Sequence, residues 1–150
     1  RHVMRRCLSP LSGFDIMLYF ISIWNCHLCI YSHPSLGTDT LIGNEANNKL
    51  YGGAGSGVKD TLTGGSGNDI FICSIESAAS DISVADWILD FTPDSDKIGL
   101  EDGEVSDVAW SSASGGTKIY DTQSDNILFY LDGIDASLLD ADDFVITDFV

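Results

Sequence analysis

Positive charge is scarce in this chain of 150 residues: seven Lys and Arg stand against 23 Asp and Glu, a formal net charge of −16 at pH 7. A surface of that sign repels phosphates, which excludes nucleic acid as a partner. Histidine is as rare. His2, His27 and His33 have no neighbours of the His-Glu-x-x-His kind, and there is no Gly-x-Ser-x-Gly elbow. The chain is therefore read as non-catalytic, with Asp102, Glu104 and Asp107 taken as solvated turn acids rather than a hydrolytic pair. No Gly-Lys-Ser/Thr follows any glycine turn, so a phosphate-cradling loop is excluded too. Beyond residue 33 the one cysteine is Cys73, which leaves no disulfide framework to expect there.

The charge is unevenly spread. Residues 1–33 carry three Arg against Asp15, whereas residues 34–150 carry Lys49, Lys59, Lys97 and Lys118 against 22 acids. Two pieces of different composition meet near Pro34. The first is basic and then apolar. Its run Phe14–Tyr31 is 18 residues long, the lower limit for a bilayer span, and is interrupted by Asp15, Asn25 and His27. Its basic start before an apolar run also resembles a signal sequence, and membrane contact is expected only if that run is a real anchor. The chain begins at Arg1, and the favoured expectation is that residues 1–33 lie outside the functional domain, as a fragment boundary or read-through. Cys26-His27-Leu28-Cys29 with His33 can be drawn as a zinc site, but no second ligand pair follows, so buried apolar thiols are the favoured reading.

What the second piece has in abundance is glycine and aspartate in register. Residues 34–72 read PSLGTDTLI, GNEANNKLY, GGAG(SGVK)DTLT, GGSGNDIFI. The period is nine, with three extra residues in the third unit. Each unit ends in a short apolar strand with one large residue in the same phase: Leu41, Leu50, Leu62, Phe71. Just before each strand comes Asp39, Asn48, Asp60 or Asp69. Glycine permits positive φ and close backbone approach, so a six-residue loop can turn carbonyl oxygens toward one point where the carboxylate adds charge. A unit this small cannot bury its own core, so copies must stack. Two units make one coil, which stacks unit one on unit three and unit two on unit four. A Gly/Ser linker would not keep its large apolar residues in phase.

Gly64 to Ile72 matches in full the G-G-x-G-x-D pattern with a following large apolar residue, and so resembles the RTX, or haemolysin-type, calcium-binding repeat. The resemblance implies an all-β fold: a short parallel β-roll over residues 34–73, followed by a β-rich C-terminal capping region over 74–150. It implies calcium as the bound ion, shared between Asp39 and Asp60 and between Asn48 and Asp69. Main-chain carbonyls would come from the loops around Gly37, Gly53, Gly55, Gly65 and Gly67. Unit one lacks its first two glycines, unit two has Ala46 and Asn48 in place of Gly and Asp, and unit three carries the insertion. Asp86-Trp87-Ile88-Leu89-Asp90-Phe91, followed by Asp96-Lys97-Ile98-Gly99-Leu100, is similar to the segment that caps the roll in serralysin-type metalloproteases, which would add Asp86 and Asp90 as ligands. Farther on, VAWSS, GTKIYDT and NILFYLDG read as strands with turns at Gly115-Gly116 and Asp132-Gly133, and SLLDADDFVI as a helical turn and a last strand.

By the same resemblance the chain is expected to be secreted and extracellular, with the type I secretion machinery as partner. Asp148-Phe149-Val150 is compatible with such a signal. The function expected is calcium binding that couples extracellular calcium to folding. The alternative is the tail of a secreted serralysin-type metalloprotease or lipase whose catalytic domain lies upstream.

Overall fold

Glycine turns that reverse the chain every few residues leave room only for short strands. The computed structural model describes residues 17–20, 30–31, 37–53 and 58–147, and among them there is no α-helix. In chain order the strands are β1 (Met17–Phe20), β2 (Ile30–Tyr31), β3 (Asp39–Asn44), β4 (Lys49–Tyr51), β5 (Thr61–Gly65), β6 (Ile70–Cys73), β7 (Asp86–Ile88) and β8 (Lys97–Leu100). The cap adds β9 (Val108–Ala113), β10 (Gly116–Asp121), β11 (Ile127–Asp132) and β12 (Phe144–Ile146), with single 3-10 turns between some of them.

Successive strands alternate between two sheets. One runs β1-β3-β5-β7-β11-β10-β9 and the other β12-β8-β6-β4-β2. All pairings among β1 to β8 are parallel. The stacking expected from the repeat holds: unit one pairs with unit three through β3 and β5, and unit two with unit four through β4 and β6. The first coil is 21 residues rather than 18, because the insertion of unit three falls inside it. The fold is thus an all-β roll with a β-rich cap.

Register explains the phased apolar residues. Leu41, Leu62, Ile88 and Leu131 stand opposite one another across the first sheet. Leu50, Phe71, Ile98 and Phe144 do the same across the second. Seven of these eight are fully buried, and Phe144 nearly so. Each side chain withdrawn from water contributes about 1.5–3 kcal/mol, so the two facing rows hold the coils together.

At the N-terminal edge, Met17 lies opposite Asp39 and Ile30 opposite Leu50, so β1 and β2 add one strand to each sheet. The remainder of Phe14–Tyr31, and the Cys26, Cys29 and His33 group, lie outside the described residues. Among those described, no helix is long and apolar enough to cross a membrane.

The cap prolongs both sheets instead of lying across them. β9, β10 and β11 form an antiparallel meander, which joins the roll by parallel pairing of β11 with β7. β12 runs parallel to β8. The first hairpin turns at Ser114-Gly115, one residue earlier than expected, since Gly116 already pairs with Ala113 and Asp132. Trp110 of β9 stacks on Phe144 of β12 with centroids 4.9 Å apart, which ties the two sheets together at this end.

Candidate metal centre

Each coil delivers a polar residue to the same place on either side of the roll, two positions before its buried apolar residue. On one side these are Asp39, Asp60 and Asp86; on the other, Asn48, Asp69 and Asp96. The columns are built from hydrogen bonds between coils. Asp39 N–H donates to Asp60 Oδ1 at 2.8 Å, and Asp60 N–H donates to Asp86 Oδ1 at 2.8 Å. Asn48 N–H donates to Asp69 Oδ1 at 2.8 Å, and Asp69 N–H to Asp96 Oδ1 at 2.9 Å. Every column residue except Asp86 is buried, with Asp39, Asn48 and Asp69 each 1% exposed.

The glycines shape the space beside these columns. Gly65 and Gly67 hold φ at +96° and +124°, where a side chain is strained, and a Cβ on Gly65 would stand 2.5 Å from Asn44 O. These two residues let the turn of unit four lie on that of unit two, where Ser66 N–H donates to Asn44 O at 3.1 Å. Gly52 serves differently. A Cβ there would stand 2.7 Å from Asp60 Oδ2 and 3.0 Å from Asp86 Oδ2, so two carboxylate oxygens converge on a cradle kept open by the missing methyl.

Carboxylates stacked this closely resist ionisation. Burial, opposed by the Asp39 N–H and reinforced by the charges of Asp86 and Asp39, pushes Asp60 up to about 7. Burial likewise carries Asp69 and Asp86 up to about 6, and raises Asp96. A cation would remove that cost. Oxygen donors, one of them a convergent carboxylate pair in a glycine cradle, fit a hard divalent ion such as calcium. Among the described residues, no group of three His, Cys, Asp or Glu side chains could hold a metal by itself. An ion between two turns would complete its oxygen shell with main-chain carbonyls or water.

The structure brings Asp39 beside Asp60 and Asn48 beside Asp69, the pairs singled out in the sequence. Asp86 stands above Asp60. Asp90 stands at the fourth turn, which it caps: its Oδ1 and Oδ2 accept the N–H groups of Gly64 and Gly65, both at 2.8 Å. Gly37 leads into β3 and Gly53 follows β4 at φ +104°, while Gly55 lies outside the described residues. Sequence reasoning missed Asp96 as a member of a column. The signal was there, since Asp96-Lys97-Ile98 has the same phase as Asp69-Ile70-Phe71. Of the three acids read as turn residues, Asp102 accepts from Ile75 N–H at 2.7 Å and Ser74 Oγ–H at 3.0 Å. Glu104 and Asp107 cap a 3-10 turn, the Asp107 carboxylate accepting Glu104 N–H at 2.8 Å.

Residues 34–71 match the RTX calcium-binding nonapeptide repeat in four copies. Repeats of that family bind calcium ions. The match spans the glycine turns and stops short of Asp86. Among solved structures, the AlgE6R3 subunit of the mannuronan C5-epimerase from Azotobacter vinelandii is similar, at 26% identity and a TM-score of 0.49 over 89% of this chain and 84% of that one. No curated protein matches the chain.

Proposed function

We propose that residues 37–100 are a calcium-responsive β-roll, and that extracellular calcium drives this chain from an expanded to a folded state. In this reading Asp39 with Asp60, Asn48 with Asp69, and Asp86 above them face ions held between stacked turns. Main-chain carbonyls around Gly37, Gly53, Gly55, Gly65 and Gly67 supply the other ligands. Asp90 acts by fixing the Gly64-Gly65 turn.

The observation that carries the proposal is the pair of buried acid columns set between the coils of four calcium-binding repeats. A net charge of −16 opposes compaction, and stacked carboxylates add to that opposition inside the fold. Metal binding is then folding free energy. Extracellular calcium modules bind at about 10⁻⁴ to 10⁻³ M. At a tenfold excess over Kd, each ion adds about 1.4 kcal/mol, a large share of a marginal stability. A chain of this kind stays open where calcium is scarce and folds after export. The type I route, which leaves the C-terminus uncleaved, suits it. The roll itself is a non-catalytic module.

The test is a calcium titration of the full chain followed by far-UV circular dichroism, beside the Asp60→Ala, Asp69→Ala double variant. The expected result is a calcium-specific gain of β signal that the variant loses or shifts to higher calcium. Wild type already folded in chelator and indifferent to calcium would overturn the proposal.

A further inference from the structure

The two acid columns are not equivalent. In the Asn48, Asp69, Asp96 column most acceptor capacity is already spent. Asn48 is uncharged, and its Oδ1 accepts Asn44 N–H at 2.8 Å. Asp96 is used through both oxygens: Oδ1 takes Asp69 N–H and Oδ2 takes Thr92 N–H, at 2.9 and 2.8 Å. An internal cation sits close by as well. Lys97, the residue after Asp96, places Nζ 3.8 Å from the buried carboxylate of Asp143.

The other column is arranged in the opposite way. Asp60 and Asp86 each accept one hydrogen bond through Oδ1, and neither Oδ2 accepts one from the described residues. Both Oδ2 atoms point at the Gly52 cradle. At the equivalent Gly64 a Cβ would meet Asp69 Oδ2 first, and the second carboxylate there, Asp90, is already spent on the Gly64 and Gly65 N–H groups. Nor does the neighbouring cation fill the gap. Lys59 directly precedes Asp60, yet its Nζ lies 3.2 Å from the centroid of the Trp87 ring, on the outer face of the sheet.

Resting on the calcium reading above, we infer that the strongest cation site of the roll is the interval between Asp60 and Asp86 at Gly52, one coil beyond the four matched repeats. Two convergent carboxylates with unused oxygens bind a hard divalent ion more tightly than Asn48 with Asp69, which bring one charge. They also bind it more tightly than Asp69 with Asp96, since both Asp96 oxygens already accept main-chain N–H groups. Trp87 holds Lys59 outside that interval and, as the neighbour of Asp86, stands next to the ion.

The test uses terbium as a calcium-like probe on the full chain, with emission excited through tryptophan. Wild type is expected to give sensitised emission, and Trp87→Phe to lose most of it while still gaining β signal with calcium. Asp86→Asn and Asp69→Asn are a matched pair, since each keeps the Oδ1 acceptor and loses one charge. Asp86→Asn is expected to raise the half-saturating terbium concentration about tenfold or more above its value in Asp69→Asn. Emission undiminished in Trp87→Phe, or an Asp69→Asn shift equal to or larger than that of Asp86→Asn, overturns the inference and leaves the calcium proposal standing. A wild type that binds neither terbium nor calcium overturns both. If Asp86→Asn does not fold, the Trp87→Phe comparison decides alone.

Discussion

A methyl group added at Gly52 and one added at Gly65 would meet different obstacles. At Gly65 the backbone itself is the problem, since φ is +96° and Asn44 O lies in the way. Gly65→Ala is expected to lower stability by about 1–3 kcal/mol at saturating calcium, read as a shift of the urea midpoint. At Gly52 the obstacles are the carboxylates of Asp60 and Asp86. Gly52→Ala is therefore expected to raise the calcium concentration needed for half-maximal folding, with less effect on the saturated protein. An unchanged calcium midpoint would sink that assignment. The positions of Asp39, Asn48, Asp60 and Asp69 were legible in the sequence because strand geometry fixes which residue precedes the buried one. The convergence at Gly52 was not, because Asp60 and Asp86 are 26 residues apart and meet only when coils stack.

Strands of three to six residues have no stability of their own, so each depends on the row of side chains it joins. Phe71 is fully buried between Leu50 and Ile98, with the Phe91 ring 6.1 Å away. Phe71→Ala is expected to cost about 3–5 kcal/mol, lowering the urea midpoint with little change in the m-value. A loss below 1 kcal/mol would mean that this row is not a packed core. The roll strands from β3 to β6 were legible from period and phase, and the cap meander from its turn residues. β1 and β2 were not. Their stretch has no repeated glycine-aspartate turn to set a phase, so an apolar run of 18 residues resembled a bilayer span more than two short strands. The cap turn was placed one residue late because Gly115 and Gly116 both suit a turn, and only the pairing of Gly116 with Asp132 distinguishes them.

The whole molecule carries its excess negative charge into its own interior, which makes the metal-free form sensitive to pH. Asp60 titrates near 7 in the folded chain, and Asp69 and Asp86 near 6, all above the ordinary value of 3.8. The folded state therefore holds protons that the unfolded chain has released, and stability falls as pH rises through that window, from about 4 to about 7. In chelator, lowering the pH from about 8 to about 5 is expected to recover part of the β signal seen by circular dichroism. Calcium should flatten this slope by occupying the place of the protons. A β signal in chelator that grows toward pH 8 would contradict the burial of these acids.

The direction of the inter-coil hydrogen bonds gives the roll a polarity. Each column carboxylate accepts the amide of the coil before it, so every coil is completed by its C-terminal neighbour. Peeling a coil from the N-terminal end releases a carboxylate, which water solvates readily. Peeling one from the other end replaces a charged acceptor with water, the weaker partner for the freed amides. The stack is therefore expected to unravel from its N-terminal side and to grow outward from the cap, which is the template for the coils before it.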